Sequence, residues 1–160
     1  LCTARALYVS GRFINVGPIP PKVEQETTYT VIWSIVNTSN SVTGAKVRAV
    51  MPAYSQWYGS VSPAKEKISF NKATNEILWE PGDIKAGTGI GGTPPKEVAF
   101  QIILTPSISQ IGDTPELVLR QQFSAVDTFT NTEISIKGGD VTTDLLTDPT
   151  ATQATREVVP

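Results

Sequence analysis

Residues 27–36 read Thr-Thr-Tyr-Thr-Val-Ile-Trp-Ser-Ile-Val. This alternation sets Tyr29, Val31, Trp33 and Ile35 on one side of an extended chain and Thr28, Thr30, Ile32 and Ser34 on the other. Side chains return to the same side every second residue only in a β-strand, so the run buries its rings by joining a sheet. The period returns at Ala45, Val47, Ala49 and Met51 against Lys46 and Arg48, and again at Val98, Phe100, Ile102 and Leu104.

Turn chemistry separates these runs. Residues 37–41 (Asn-Thr-Ser-Asn-Ser) stop the first, Pro52 stops the second, and residues 80–83 (Glu-Pro-Gly-Asp) with 87–95 form a loop rich in Gly and Pro. Shorter strands are expected at 57–61, 67–70 and 77–79. Residues 105–113 read as an irregular crossover, 117–126 and 129–136 as strands joined by a tight turn at Asp127 and Thr128, and 141–146 as a further strand. Twenty Thr, twelve Gly and twelve Pro against a single Met favour short strands over helices. The fold expected is all-β: an Ig-like Greek-key β-sandwich of seven to nine strands, cored by Tyr29, Trp33, Trp79 and Phe100, with extended terminal segments.

One such sandwich accounts for residues 1–148. Within it, 1–18 is an N-terminal strand extension, with strand-like pieces at 6–9 and 12–16. Residues 149–160 are a linker containing Thr and Pro, or a strand-donating tail. In the tail Val158 and Val159 are the strong β-formers, Thr150, Thr152 and Thr155 tolerate a ladder, and Pro149 and Pro160 mark its limits. The start at Leu1, without a basic segment and a long apolar run, reads as a mature or excised fragment. No apolar run is long enough for a membrane-spanning helix.

Thirteen basic against fifteen acidic residues, a net charge of -2 and a pI near 5.1 argue against nucleic acid as a partner. The absence of His removes His-based triads and HExxH zinc sites. Cys2, the single cysteine, excludes an intrachain disulfide; it is a partner for an interchain bond, a lipid-bearing residue or a small apolar plug. Ser62 and Lys65 lie in no nucleophile motif, and the Gly-rich stretch 87–92 leads to Pro94, Pro95 and a strand, not to a helix that would bind phosphate. The chain is therefore expected not to be an enzyme and to carry no cofactor.

Several features together carry a resemblance. They are the tyrosine-led strand from Tyr29 to Asn37, the strand that ends in Met51 and Pro52, the turn from Trp79 through Gly82 to Gly87, and the alternation from Val98. They resemble the Ig-like bacterial surface repeat known as domain of unknown function eleven, over a little under half of the chain. Met51 stands where that family usually has Leu. The resemblance implies a non-enzymatic extracellular module of a stalk, fibre, adhesin or surface layer, whose partners are copies of itself or neighbouring repeats. An alternative is an adhesin-type module that binds a glycan or a host or partner-cell protein.

Each reading has candidate residues. Tyr54, Trp57 and Tyr58 can form a stacking platform for a sugar, against the plainer possibility that they cap the core. Val158 and Val159 are candidate anchors for strand addition to a neighbour. Lys22 or Lys46 with Asn131 and Glu133 are candidate parts of an isopeptide bond, which requires all of them buried together. Asp127, Asp140, Asp144 and Asp148 are candidate oxygen donors for a Ca²⁺ site, against the plainer role of scattered surface carboxylates in solubility; no EF-hand spacing is present. Rings lying on the surface would favour binding, and a buried Trp57 with paired chain ends would favour assembly.

Overall fold

The computed structural model describes residues 1–149 and 151–160; Thr150, one of the tail threonines expected to tolerate a ladder, lies outside the described residues. The ten strands are β1 (Cys2–Leu7), β2 (Thr27–Ile35), β3 (Val42–Val50), β4 (Ser55–Ser62), β5 (Ile68–Asn71), β6 (Glu76–Ile84), β7 (Lys96–Leu104), β8 (Glu116–Asp127), β9 (Glu133–Lys137) and β10 (Val141–Thr142). One sheet has the order β1-β2-β7-β4. The other has the order β10-β8-β3-β6-β5, with β9 sharing the outer edge of β8 with β10. The chain crosses from β2 to β3, back to β4, over to the β5–β6 hairpin, back to β7 between β2 and β4, and over again to β8. This is an all-β, Ig-like Greek-key sandwich.

The core follows from the alternation. Tyr29, Val31, Trp33, Val98, Phe100, Ile102 and Leu104 of the first sheet meet Val47, Ile77, Trp79 and Leu117 of the second, all essentially inaccessible. Five rings form a chain through it. Trp79 and Phe100 flank Trp33 with centroids at 6.3 and 5.0 Å, and Trp57 lies between Phe100 and Phe70 at 5.3 and 5.8 Å. Such pairs contribute about 0.5–1.5 kcal/mol each beyond area burial.

The second face of β2 is also buried, which its threonines did not announce. Residues 8–18, expected to be strand over 12–16, instead lie irregularly across the outer face of the first sheet. Asn15 Nδ2 donates to the Tyr8 carbonyl at 2.8 Å and to Thr30 Oγ1 at 3.0 Å, and the Asn15 side-chain oxygen accepts from Gln101 Nε2 at 3.0 Å. Thr28 exchanges bonds with the Val16 backbone, and Phe13 packs on Leu7, Ile32 and Ala99. The layer needs Gly17: its φ is +105°, and a Cβ there would stand 2.2 Å from the Glu26 carbonyl oxygen.

Other boundaries move for identifiable reasons. Residues 80–83, expected to be loop, continue β6, because Gly82 at φ +77° forms a bulge between the Ala45–Gly82 and Val47–Trp79 pairs. The strand expected from Phe129 begins at Glu133: the Asp127 carboxylate accepts from the Phe129 and Thr130 N–H groups and holds a loop there, leaving Phe129 exposed. The strand expected over 141–146 is two residues long, and β1, drawn from the N-terminal extension, brings the expected seven to nine strands to ten among the described residues.

Candidate functional site

The two chain ends lie at opposite poles of the sandwich. Leu1 pairs with Val36 just beyond the last residue of β2: its ammonium donates to the Val36 carbonyl at 2.6 Å, and Val36 N–H donates back at 2.8 Å. The C-terminal segment lies beyond the first residue of β2. There Val159 N–H donates to the Pro21 carbonyl at 2.9 Å and Val23 N–H to the Val159 carbonyl at 3.0 Å, while Val158 bonds to Asp113 and Gly112. Nine residues of β2, roughly 27 Å at the usual rise, separate the poles.

The tail is therefore strand-paired, but within its own chain. Parallel bridges join Val159 to Lys22 and Val158 to Ile111, and the Val158 side chain is buried. In this arrangement the main-chain N–H and C=O groups of Val158 and Val159 are engaged at home and are not presented to a neighbour. Through these bridges Val158 and Val159 pack against the same sandwich as Pro21, Lys22 and Ile111.

Asp148 holds this closure together. Its buried carboxylate accepts from three successive backbone N–H groups, those of Tyr8 at 2.7 Å, Val9 at 2.8 Å and Ser10 at 3.4 Å, so it ties the start of the tail to the end of β1. A buried carboxylate is tolerated where charge-assisted bonds replace its hydration. Two further polar contacts pin the sheets. Trp33 Nε1 donates to Gln121 Oε1 at 2.6 Å inside the core, and Gln121 Nε2 donates on to the Gly139 carbonyl. Glu66, on the β4–β5 connection, accepts from Trp79 Nε1 at 3.0 Å and Lys96 Nζ at 2.7 Å, joining β6 of one sheet to β7 of the other. Sequence reasoning found neither contact, and grouped Asp148 only with surface carboxylates that could donate to a cation.

The three rings between 54 and 58 do not form a platform. Tyr54 faces the 110–116 loop, where burial and then the Glu116 carboxylate raise its hydroxyl pKa. Trp57 turns inward between Phe70 and Phe100, and Tyr58, its neighbour on β4, turns outward and is 53% exposed. Adjacent strand residues point to opposite faces, so the pair cannot stack on one ligand.

The other candidate sets are dispersed as well. Lys22, Asn131 and Glu133 are exposed, and Lys46 pairs with Glu80 at 3.5 Å on the surface, so the isopeptide set is neither buried nor assembled. Asp127 turns the β8–β9 loop; the Thr130 N–H first, then the Asn40 side-chain amide, hold its carboxyl below the usual range. Asp140 accepts from Arg120 N–H and Asp144 pairs with Arg156, so the four aspartates serve separate places. Among the described residues, no three acidic, His or Cys side chains are grouped as metal ligands. Cys2 is half-buried against the core, and burial, tempered by the N-terminal ammonium, pushes its thiol up to about 11. A thiol so placed is a poor nucleophile at neutral pH.

No family model matches the sequence, and no curated protein matches it. Solved structures are similar in fold. BcpA, the major pilin subunit of Bacillus cereus, is 10% identical at a TM-score of 0.46, covering 89% of this chain and 40% of the pilin. The full-length major pilin SpaD from Corynebacterium diphtheriae is 12% identical at 0.46, covering 88% and 34%. An exo-β-N-acetylglucosaminidase from Vibrio harveyi is 7% identical at the same 0.46, covering 88% and 18%. This chain thus spans 40% or less of each of these proteins.

Proposed function

We propose that the chain is a non-enzymatic structural module of a bacterial surface protein, set in series in an extracellular stalk, fibre or surface layer. The observation that carries this is the exit of the two ends at opposite poles, each tied by backbone hydrogen bonds to the strand framework. Load applied through the ends runs along β1. The six residue pairs of β1 with β2 then resist together in shear instead of opening one at a time. The resemblance to the surface repeat supports the same reading, and the inward turn of Trp57 favours it over glycan stacking.

The test is single-molecule pulling in two geometries. Force applied through Leu1 and Pro160 shears β1 along β2, whereas force applied through Leu1 and Val36, partners at one pole, unzips it. A load-bearing module unfolds at a several-fold higher force in the first geometry. Equal forces in both would overturn the reading.

A further inference from the structure

The slot that receives the end of the tail is built from two segments distant from it in sequence. On one side the Pro21 carbonyl and Val23 N–H bond to Val159; on the other the Asp113 carbonyl and Gly112 N–H bond to Val158. One parallel bridge stands on each side, so the tail is the middle member of three short extended pieces. The Val158 side chain fills the gap and is 2% exposed. Without a strand in the slot these four backbone groups lose their partners, and an apolar recess opens to water. The walls of the slot, however, are held by bonds of their own. Glu24 N–H donates to the Pro106 carbonyl at 2.8 Å and Gln25 N–H to the Lys22 carbonyl at 3.2 Å. Across the slot, Ile111 and Asp113 N–H donate to the Ile108 and Gln110 carbonyls at 3.3 and 2.9 Å.

The route to the slot is more lightly attached. Asp148, bonded to Tyr8, Val9 and Ser10, is the last firm anchor before it, and Val158 follows ten residues later. In between, Ala151 packs at the rim of the core, and Thr152 and Thr155 close a turn on each other. Arg156 makes the contacts with β10 and its exit: its carbonyl accepts from Thr143 Oγ1 at 2.6 Å, and its guanidinium meets Asp144 at 3.4 Å in a partly exposed pair. A pair of that kind adds little. Extended, the ten residues reach about 33 Å, enough to cross to the same slot of a molecule packed against this pole.

We infer that the tail is exchangeable: residues 151–160 of one copy enter the slot of a second copy, which returns its own tail, giving a two-fold dimer joined at the tail poles. The occupant is the segment already seated there, so each bond that holds it at home is reproduced between copies. Exchange trades these bonds one for one, which makes it a low-cost route to a dimer. Donor and slot lie at the same pole, so reciprocal exchange closes on itself and yields a pair instead of a filament. Ile108 and Ile111, 69% and 46% exposed on the crossover that forms one wall of the slot, lie on the face that the second copy approaches. This goes beyond the serial-load reading. The two fail separately, since pulling on single molecules at high dilution involves no second copy.

The test uses two full-length variants, both carrying Cys2→Ala, with Lys22→Cys in the first and Val159→Cys in the second. The two positions are bridge partners, within disulfide reach when the tail is seated, and neither variant can form that bond within one chain. The variants are mixed at about 1 mM each, the effective concentration typical of a short tether, oxidised in a glutathione redox buffer and resolved by mass spectrometry. Random collision gives mixed dimers and like-with-like dimers in equal total amounts. Exchange should raise the mixed dimer about ten-fold above that level, and dilution to about 1 μM should remove the excess. Lys85→Cys, exposed by the opposite pole, should give only the collision level when it replaces Lys22→Cys. Three results would overturn the inference: mixed dimers at the collision level, an equal excess with Lys85→Cys, or a dominant dimer of the Lys22→Cys variant with itself, which would mean that the poles meet with each tail at home.

Discussion

The Asp148 carboxylate lies 2.7 Å from the backbone nitrogen of Tyr8, 140 residues away in sequence, and a second N–H, from Val9, reaches the same oxygen at 2.8 Å. One side chain thereby closes the end of β1 and fixes the point from which the tail returns to the Pro21–Val23 backbone. Asp148→Ala removes a charged acceptor from three part-buried N–H donors and should cost about 1.5–3 kcal/mol. Asp148→Asn, which keeps one acceptor oxygen, should cost roughly half of that. Denaturant melting checks the magnitudes, and faster exchange at the Tyr8, Val9 and Val159 amides in Asp148→Ala would locate the loss. An unchanged melt would mean that the tail is held by its bridges alone.

Trp33 and Gln121 make the corresponding contact in the core. The indole N–H is inaccessible to solvent and donates to the Gln121 amide oxygen at 2.6 Å, so a residue of similar bulk without an acceptor leaves it unpaired. Gln121→Leu should destabilise by about 1–3 kcal/mol, the cost of an unsatisfied buried donor, and should shift the Trp33 fluorescence. Gln121→Glu keeps an acceptor for the indole but loses the donor to the Gly139 carbonyl and buries a carboxylate, so it should also destabilise, increasingly as pH rises through the carboxyl range. A Gln121→Leu variant as stable as the parent would show that the bond contributes nothing net.

These contacts explain how much of the molecule its sequence disclosed. Tyr29, Trp33, Trp79 and Phe100 were legible as core because alternation is a local property, and all four are fully buried. The second burial of β2 was not legible: Thr28 and Thr30 look solvent-facing until Asn15 and Val16 are laid over them, and the side-chain bonds that do this obey no period. Residues 80–83 were misread because Pro and Gly signal a turn, whereas a left-handed Gly82 also makes a bulge inside a continuing strand. The candidate sites failed for a related reason. Tyr54, Trp57 and Tyr58 are neighbours in sequence, but the pleat sends Trp57 and Tyr58 to opposite faces. Asp148, Gln121 and Glu66 acquire their partners only when distant strands meet.

Tyr29 gives the fold a pH limit on the alkaline side. Its ring is buried edge-on to Tyr8 at 6.1 Å, its hydroxyl has no hydrogen-bond partner among the described residues, and burial, followed by the neighbouring Tyr8 charge, raises its pKa well above that of a free phenol. Cys2 shifts in the same direction, to about 11. In both cases the folded chain keeps a proton that the unfolded chain releases more readily. The stabilising contribution is therefore complete below the unfolded values of about 8.5 for the thiol and about 10 for the phenol, and is lost as pH rises beyond them. Urea melts should accordingly show stability falling above pH about 8.5 and more steeply above about 10. Cys2→Ala should flatten the first part of the decline. Tyr29→Phe should flatten the second and, by removing an unpaired buried hydroxyl, raise stability at neutral pH by about 1 kcal/mol. A Tyr29→Phe variant that is less stable than the parent at pH 7 would mean that the hydroxyl is hydrogen-bonded in solution, and an alkaline slope equal to the parent's would mean that Tyr29 does not set the limit.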